Sequence, residues 1–126
     1  MSPFLIDTNV FSEIFKGNSD ISSYVAGLDA YIDTVIYIEC LQGSKSNLEK
    51  AQIKKVLSTF PLLPINQTVS EIAVELIERY SNSHGLVLAD AFVAASALSA
   101  GLTVVTFNVS DFQFIHNLNC SLPVLI

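Results

Sequence analysis

A parallel β-sheet with helices on both faces, a three-layer α/β/α sandwich, is the fold class the sequence predicts. Short apolar strand-like runs alternate with helical segments along the whole chain. The run Thr103 to Phe107 is β-branched and apolar without a break, as expected of a strand covered on both faces. Val87 to Ala100 is apolar on nearly every side, the mark of a buried helix. Alternating strands and helices imply parallel pairing through crossover connections, and hence helices on both sides of the sheet.

Taken in order, Pro3 to Ile6 is a first strand, short, apolar and ended by an acid. Thr8 to Lys16 follows as a helix, with Val10, Phe11, Ile14 and Phe15 at helical spacing and Gly17 as its stop. Ser19 to Ala26 reads as a second short helix and Ala30 to Ile32 as a strand. Thr34 to Gln42 is rich in β-formers, but Asp33 or Thr34 suits an N-cap and Gly43 a stop, so we assign a helix. Asn47 to Thr59 is helical with Leu48, Ile53, Val56 and Leu57 inward, and Leu62 to Ile65 is a short strand. Gln67 to Ser81 is the most regular amphipathic helix, with Val69, Ile72, Ala73, Leu76, Ile77 and Tyr80 on one stripe. After the buried helix come the strand Thr103 to Phe107, a short helix around Ser110 to Ile115 and a last strand, Leu122 to Ile126.

The length, 126 residues, suits a single domain spanning 1–126. The chain is 51% hydrophobic and 14% charged, against roughly 25% charged in ordinary globular domains. Apolar material is therefore ample for a core, with some to spare for an interface. The longest apolar stretch, Leu86 to Leu102, contains Asp90 and falls short of the ~20 residues that span a bilayer. Met1 to Asp7 has neither the basic nor the long apolar region of a secretory signal. Cys40 and Cys120 form no CxxC spacing, zinc pattern or disulfide framework, so a reducing cytoplasm is expected. The net charge of −6 argues against nucleic acid if taken alone. Bound cations would cancel much of it, and Lys45, Lys50, Lys54 and Lys55 cluster either as a local basic patch or as an ordinary solvated helix face.

Ligands of a parallel sheet sit beyond the carboxyl ends of its strands, so polar residues there carry the argument. Asp7 lies directly after the first strand, where it can also cap a helix. Asp90 stands in Leu86-Val87-Leu88-Ala89-Asp90-Ala91-Phe92-Val93 with no other charge nearby in sequence. Burying such a carboxylate unpaired costs several kcal/mol. The chain has six lysines and arginines, four of them clustered elsewhere, so a bound cation is a natural compensation. Glu39, in Val35-Ile36-Tyr37-Ile38-Glu39-Cys40-Leu41, poses the same problem. Asp111 follows the strand Thr103 to Phe107 much as Asp7 follows the first, although its loop is polar in any case. Together these acids offer an oxygen-only donor set, which suits Mg²⁺ or Mn²⁺ and not zinc. Their mutual repulsion should raise at least one carboxyl pKa in the metal-free protein.

These same residues resemble the motifs of the PIN-domain ribonucleases, and within them the VapC-type toxins of VapBC toxin–antitoxin pairs. Phe4-Leu5-Ile6-Asp7-Thr8-Asn9 is similar to the family's opening strand and first aspartate, and Glu39-Cys40-Leu41-Gln42-Gly43 to its Glu-x-x-x-Gly helix. Leu88-Ala89-Asp90-Ala91-Phe92-Val93-Ala94-Ala95 resembles the third acidic motif, and Thr106-Phe107-Asn108-Val109-Ser110-Asp111-Phe112 the final Thr-x-Asn-x-x-Asp-Phe. The resemblance implies an acidic pocket for Mg²⁺ or Mn²⁺, single-stranded or loop RNA as substrate, homodimers, and an antitoxin partner that covers the pocket. Arg79 is the only arginine, which departs from many relatives and leaves basic RNA-facing surface sparse.

The chemistry that follows is metal-assisted phosphodiester hydrolysis. Asp7, Asp90 and Asp111 would be ligands, with Glu39 a ligand directly or through water. Thr8, Asn9, Thr106 and Asn108 either support those carboxylates or serve as turn and cap residues. Aspartyl phosphoryl transfer is disfavoured, because Asp7-Thr8-Asn9 has no second acid two residues on. A Cys40–His84 pair carries no motif, and Cys40 lies in an apolar run where thiols are inert. The competing reading is a non-catalytic RNA-binding or protein-interaction module on the same fold. Phe11, Phe15 and Tyr24, on the early helices, serve either a dimer or antitoxin groove or the core.

Overall fold

The computed structural model of the chain describes residues 3–123. Strand β1 (Phe4–Ile6) leads into helices α1 (Thr8–Phe15) and α2 (Ser19–Ala26). Strand β2 (Ala30–Asp33) leads into α3 (Thr34–Gln42) and α4 (Asn47–Leu57), and β3 (Leu62–Leu63) into α5 (Gln67–His84) and α6 (Leu88–Ala100). Strand β4 (Thr103–Val105), a 3-10 turn at Val109–Asp111 and β5 (Cys120–Ser121) complete the order. All pairings are parallel, in one five-stranded sheet ordered β3-β2-β1-β4-β5. The chain therefore steps outward from β1 to β3, then returns across β1 to β4 and β5. Right-handed crossovers in those two directions put α1–α4 on one face and α5–α6 on the other. The expected three-layer α/β/α class is the one found.

Reversal of direction makes a topological switch point between β1 and β4, the crevice such sheets use for ligands. Phe4 pairs with Thr103 and Ile6 with Val105, and Asp7 N–H continues the ladder by donating to the Val105 carbonyl at 3.0 Å. Central strand residues Leu5, Ile6, Ile32, Val104 and Val105 are fully buried. Ala91, Ala94, Ala95 and Ala97 of α6 are likewise fully buried, and their small side chains allow α6 to lie close against α5. The termini are fixed by side chains: Asp7, Asn18, Asp33, Ser46 and Asn66 each accept a hydrogen bond from the first turn of the helix they cap. Helix α5 runs to His84, beyond the expected Ser81, and ends at Gly85, left-handed at φ 70°.

Several expectations are corrected. Leu48 points outward, 72% exposed. It stands five positions before Ile53, which turns it away from the Ile53–Leu57 stripe; Glu49 stands on that stripe instead. Helix α6 begins at Leu88, and its start is not buried: the N-cap Val87 and Leu88 are exposed. Strand β4 stops at Val105, because Thr106 Oγ1 accepts from Asn108 N–H and turns the chain, leaving Phe107 exposed. In place of the helix at Ser110 to Ile115 there is one 3-10 turn at Val109–Asp111, with the buried Phe112 and Ile115 following it. The last strand falls at Cys120–Ser121, where the ladder ends with Val105 opposite Ser121. Of the strand expected at Leu122 to Ile126, positions 124–126 lie outside the described residues. Phe11 is fully buried and meets Phe60 edge-on, so it is core; Phe15 is part-exposed.

Candidate active site

The site is built at the carboxyl ends of β1, β2 and β4. Asp7 ends the β1 ladder and caps α1, its Oδ1 accepting from Thr8 N–H at 2.9 Å. Its Oδ2 accepts from Thr106 Oγ1, also at 2.9 Å, across the β1–β4 crevice. Thr106 is fully buried, and its hydroxyl also accepts from Asn9 Nδ2 at 3.1 Å and Asn108 N–H at 3.0 Å. Asn9 Oδ1 in turn accepts from Phe107 N–H at 3.2 Å. Four polar residues expected near the site thus divide clearly. Thr106 and Asn9 tie β4's end to Asp7, Asn108 closes the turn through its backbone, and Thr8 Oγ1 donates to Glu39 Oε1 at 2.8 Å. Thr8 is the link between β1's end and the middle of α3.

In the sequence Asp33 reads only as a possible cap. It does cap α3, with Oδ1 accepting from Ile36 N–H at 2.8 Å, but it is also fully buried and accepts from Ser96 Oγ of α6 at 2.8 Å. Its position at the end of a strand, equivalent to that of Asp7, is the signal that could have found it.

Electrostatics join these acids. Burial raises the Asp7 carboxyl, the Thr8 and Thr106 hydrogen bonds partly offset this, and the charges of Glu39 and Asp33 raise it further. Asp33 is raised by burial, offset by its bonds to Ile36 and Ser96, and raised again by Glu39. Asp90, in the first turn of α6, is pushed up to about 6 by burial and then by Asp7, Asp111 and Glu39. Asp7, Asp33, Glu39 and Asp90 therefore share one negative field. Asp111, on the exposed 3-10 turn, acts on Asp90 from its edge. Among the described residues the ion pairs are Lys16–Glu13 and Arg79–Glu75, and neither reaches these acids. Nor do three Asp, Glu, His or Cys side chains among the described residues stand together as a finished ligand set. The acids share a field without forming a closed coordination shell.

Other chemistry is poorly served. Burial, with Glu39 and Asp7, pushes the Cys40 thiol up to about 12, which leaves it protonated at neutral pH. His84 stacks on Phe114 at the far end of α5. A cavity of about 460 Å³ lined in part by Leu28, Asp29, Ala30, Phe60 and Pro61 lies at the amino ends of β2 and β3, away from the acids.

With this geometry in place, comparison with known proteins decides the family. The PIN domain model matches residues 4–113, from the start of β1 past Asp111. The chain belongs to the PIN-domain family. It is similar to Toxin FitB of Neisseria gonorrhoeae, 29% identical with 86% of this chain and 89% of that one covered. It is also similar to Ribonuclease VapC1 of Rickettsia felis, 28% identical with 90% and 91% covered. A solved toxin–antitoxin complex from Klebsiella pneumoniae contains a chain that superposes with a TM-score of 0.80 at 26% identity, covering 98% of this chain and 99% of that one.

Proposed function

We propose that this PIN-domain chain, as one nuclease domain over 1–126, is a Mg²⁺- or Mn²⁺-dependent endoribonuclease and the toxin of a toxin–antitoxin pair. The observation that carries the reading is the uncompensated acid field: the charge of Glu39 raises Asp7 and Asp90, that of Asp7 raises Asp90, and no lysine or arginine among the described residues is bound to any of them. Oxygen donors in a negative field fit a hard divalent cation, and they repel an RNA phosphate unless one is present. Asp7, Asp90 and Asp111 would hold the ion, with Glu39 a ligand directly or through water, and the buried Asp33 adding charge behind them. When bound, such an ion polarises a phosphodiester and lowers the pKa of a ligated water.

The chain's own residues prepare that chemistry. Thr106 fixes Asp7 on one oxygen and leaves the remaining acceptor sites of the carboxylate directed elsewhere. Thr8 fixes Glu39 on α3. Asp90, with a pKa of about 6, holds a proton in mildly acidic solution and releases it near neutrality. The proposed partners are an RNA substrate, a cognate antitoxin protein and a second copy of the chain. An antitoxin is supported by the solved Klebsiella pneumoniae structure, which is a toxin–antitoxin complex. The proposed setting is the cytoplasm; no helix among the described residues is long and apolar enough to cross a membrane.

A cleavage assay on a mixed RNA pool, with and without Mn²⁺, tests the reading in wild type, Asp7→Asn and Asp90→Asn. Mn²⁺-dependent cleavage by the wild type alone is expected. Equal cleavage by all three would remove these acids from the site. A folded, metal-bound wild type that cuts nothing would favour the non-catalytic binding module.

A further inference from the structure

Helix α6 carries Asp90 in its first turn, and it is held in the fold mainly by very small side chains. Apart from Ser96, its buried residues are Val93 and four alanines, Ala91, Ala94, Ala95 and Ala97. Large side chains fix a helix by interdigitating with their neighbours, and methyl groups offer little to interdigitate. This face therefore lets α6 pack closely but specifies its position along its own axis only weakly. A slip of one residue moves a helix by about 1.5 Å. A metal-binding carboxylate has to be placed to within about 0.5 Å.

One polar contact supplies what the alanines lack. Ser96 is 2% exposed, and its Oγ donates to Asp33 Oδ2 at 2.8 Å. Among the described residues this is the only side-chain hydrogen bond that reaches α6. Asp33 is itself firmly placed. It is fully buried, stands opposite Leu63 in the β2–β3 ladder, and caps α3 by accepting from Ile36 N–H on Oδ1 at 2.8 Å. Glu39 lies further along α3. One carboxyl group thus ties the helix of Glu39 to the helix of Asp90. No lysine or arginine among the described residues pairs with it. A buried acid with neutral partners adds little stability, and the best-attested use of such polar contacts is to fix register.

We propose that Asp33 and Ser96 are positioning residues for the metal site: their hydrogen bond sets the register of α6 against α3, and so the separation of Asp90 from Glu39. The inference rests on the nuclease reading, and gives Asp33 a geometric role, shared with Ser96, beside its charge.

The test is calorimetric titration of the full chain with Mn²⁺ at pH 7.5, in variants first shown by circular dichroism to be folded. Asp33→Asn and Asp33→Ser both remove the charge, and both keep a good cap for α3. The asparagine amide can still donate to Ser96 Oγ, whereas the shorter serine draws back from it. Asp33→Asn is expected to bind Mn²⁺ about ten-fold more tightly than Asp33→Ser. Ser96→Ala, which leaves the acid in place, should lose affinity by a similar factor. The double variant Asp33→Ser with Ser96→Ala should bind no more weakly than Asp33→Ser alone, because the same bond is lost only once. Equal affinities for Asp33→Asn and Asp33→Ser would overturn the inference, even where Ser96→Ala does not fold. A folded Ser96→Ala with wild-type affinity would also overturn it, leaving Asp33 to act by charge alone. A folded wild type that binds no Mn²⁺ would overturn it together with the nuclease reading.

Discussion

At Asp90, burial and the charges of Asp7, Asp111 and Glu39 lift the carboxyl from 3.8 to about 6. Because the folded protein holds this proton more tightly than the unfolded chain does, its stabilising effect is complete below about pH 4. Metal-free stability should then fall as pH rises from about 4 to 6 and level off above, with Asp7 and Asp33 adding to the same slope. Asp90 is only half buried, so after discounting for solvent screening the effect is on the order of 1 kcal/mol. Thermal melts in EDTA check this: Asp90→Asn should melt higher than wild type at pH 8 and equally at pH 4 or below. Thr106 offers a second test. Thr106→Val keeps the shape but strips the hydroxyl from Asp7, Asn9 and Asn108. Denaturant titration should show a loss of about 2–3 kcal/mol, with Thr106→Ser recovering most of it.

At the scale of elements, the carriers of the site differ in how plainly the sequence announces them. Strand β1 and α1 are legible because an apolar run ends in an acid that caps the next helix. Helix α5 is legible because its stripe repeats turn after turn. Asp33 is easily undervalued, since its capping role accounts for its residue type, and burial against Ser96 of α6 is a contact made 63 positions away. The turn after β4 reads as strand because Thr106-Phe107 are good β-formers; the bond that breaks the strand is the one the Thr106 hydroxyl makes to Asn108 N–H. Leu48 shows the limit of hydrophobicity without phase. Leu48→Ala should change stability by under about 0.5 kcal/mol, whereas Ile53→Ala, 4% exposed, should cost about 2–4 kcal/mol. Chemical denaturation of both variants distinguishes the two orientations of α4.

For the molecule as a whole, the strand order places the acids in space although they are scattered in sequence. β1 lies at the centre of the sheet, so Asp7 meets Thr106, just beyond β4, on one side, 99 positions away, and is flanked by β2 and Asp33 on the other. Sequence motifs name Asp7, Glu39, Asp90 and Asp111 one by one. Only the topology shows that the first three share a field, that Asp111 stands at its edge, and that Asp33 belongs to it. Among the described residues the ion pairs lie elsewhere, at Lys16–Glu13 and Arg79–Glu75. The most direct test is calorimetric titration of the full chain with Mn²⁺ at pH 7.5, in wild type, Asp7→Asn and Asp90→Asn. Saturable binding by the wild type is expected, weakened in each variant by more than the ~10-fold that outer hydrogen-bond partners alone contribute. Equal Mn²⁺ affinity in all three, or no binding by a folded wild type, would contradict the account.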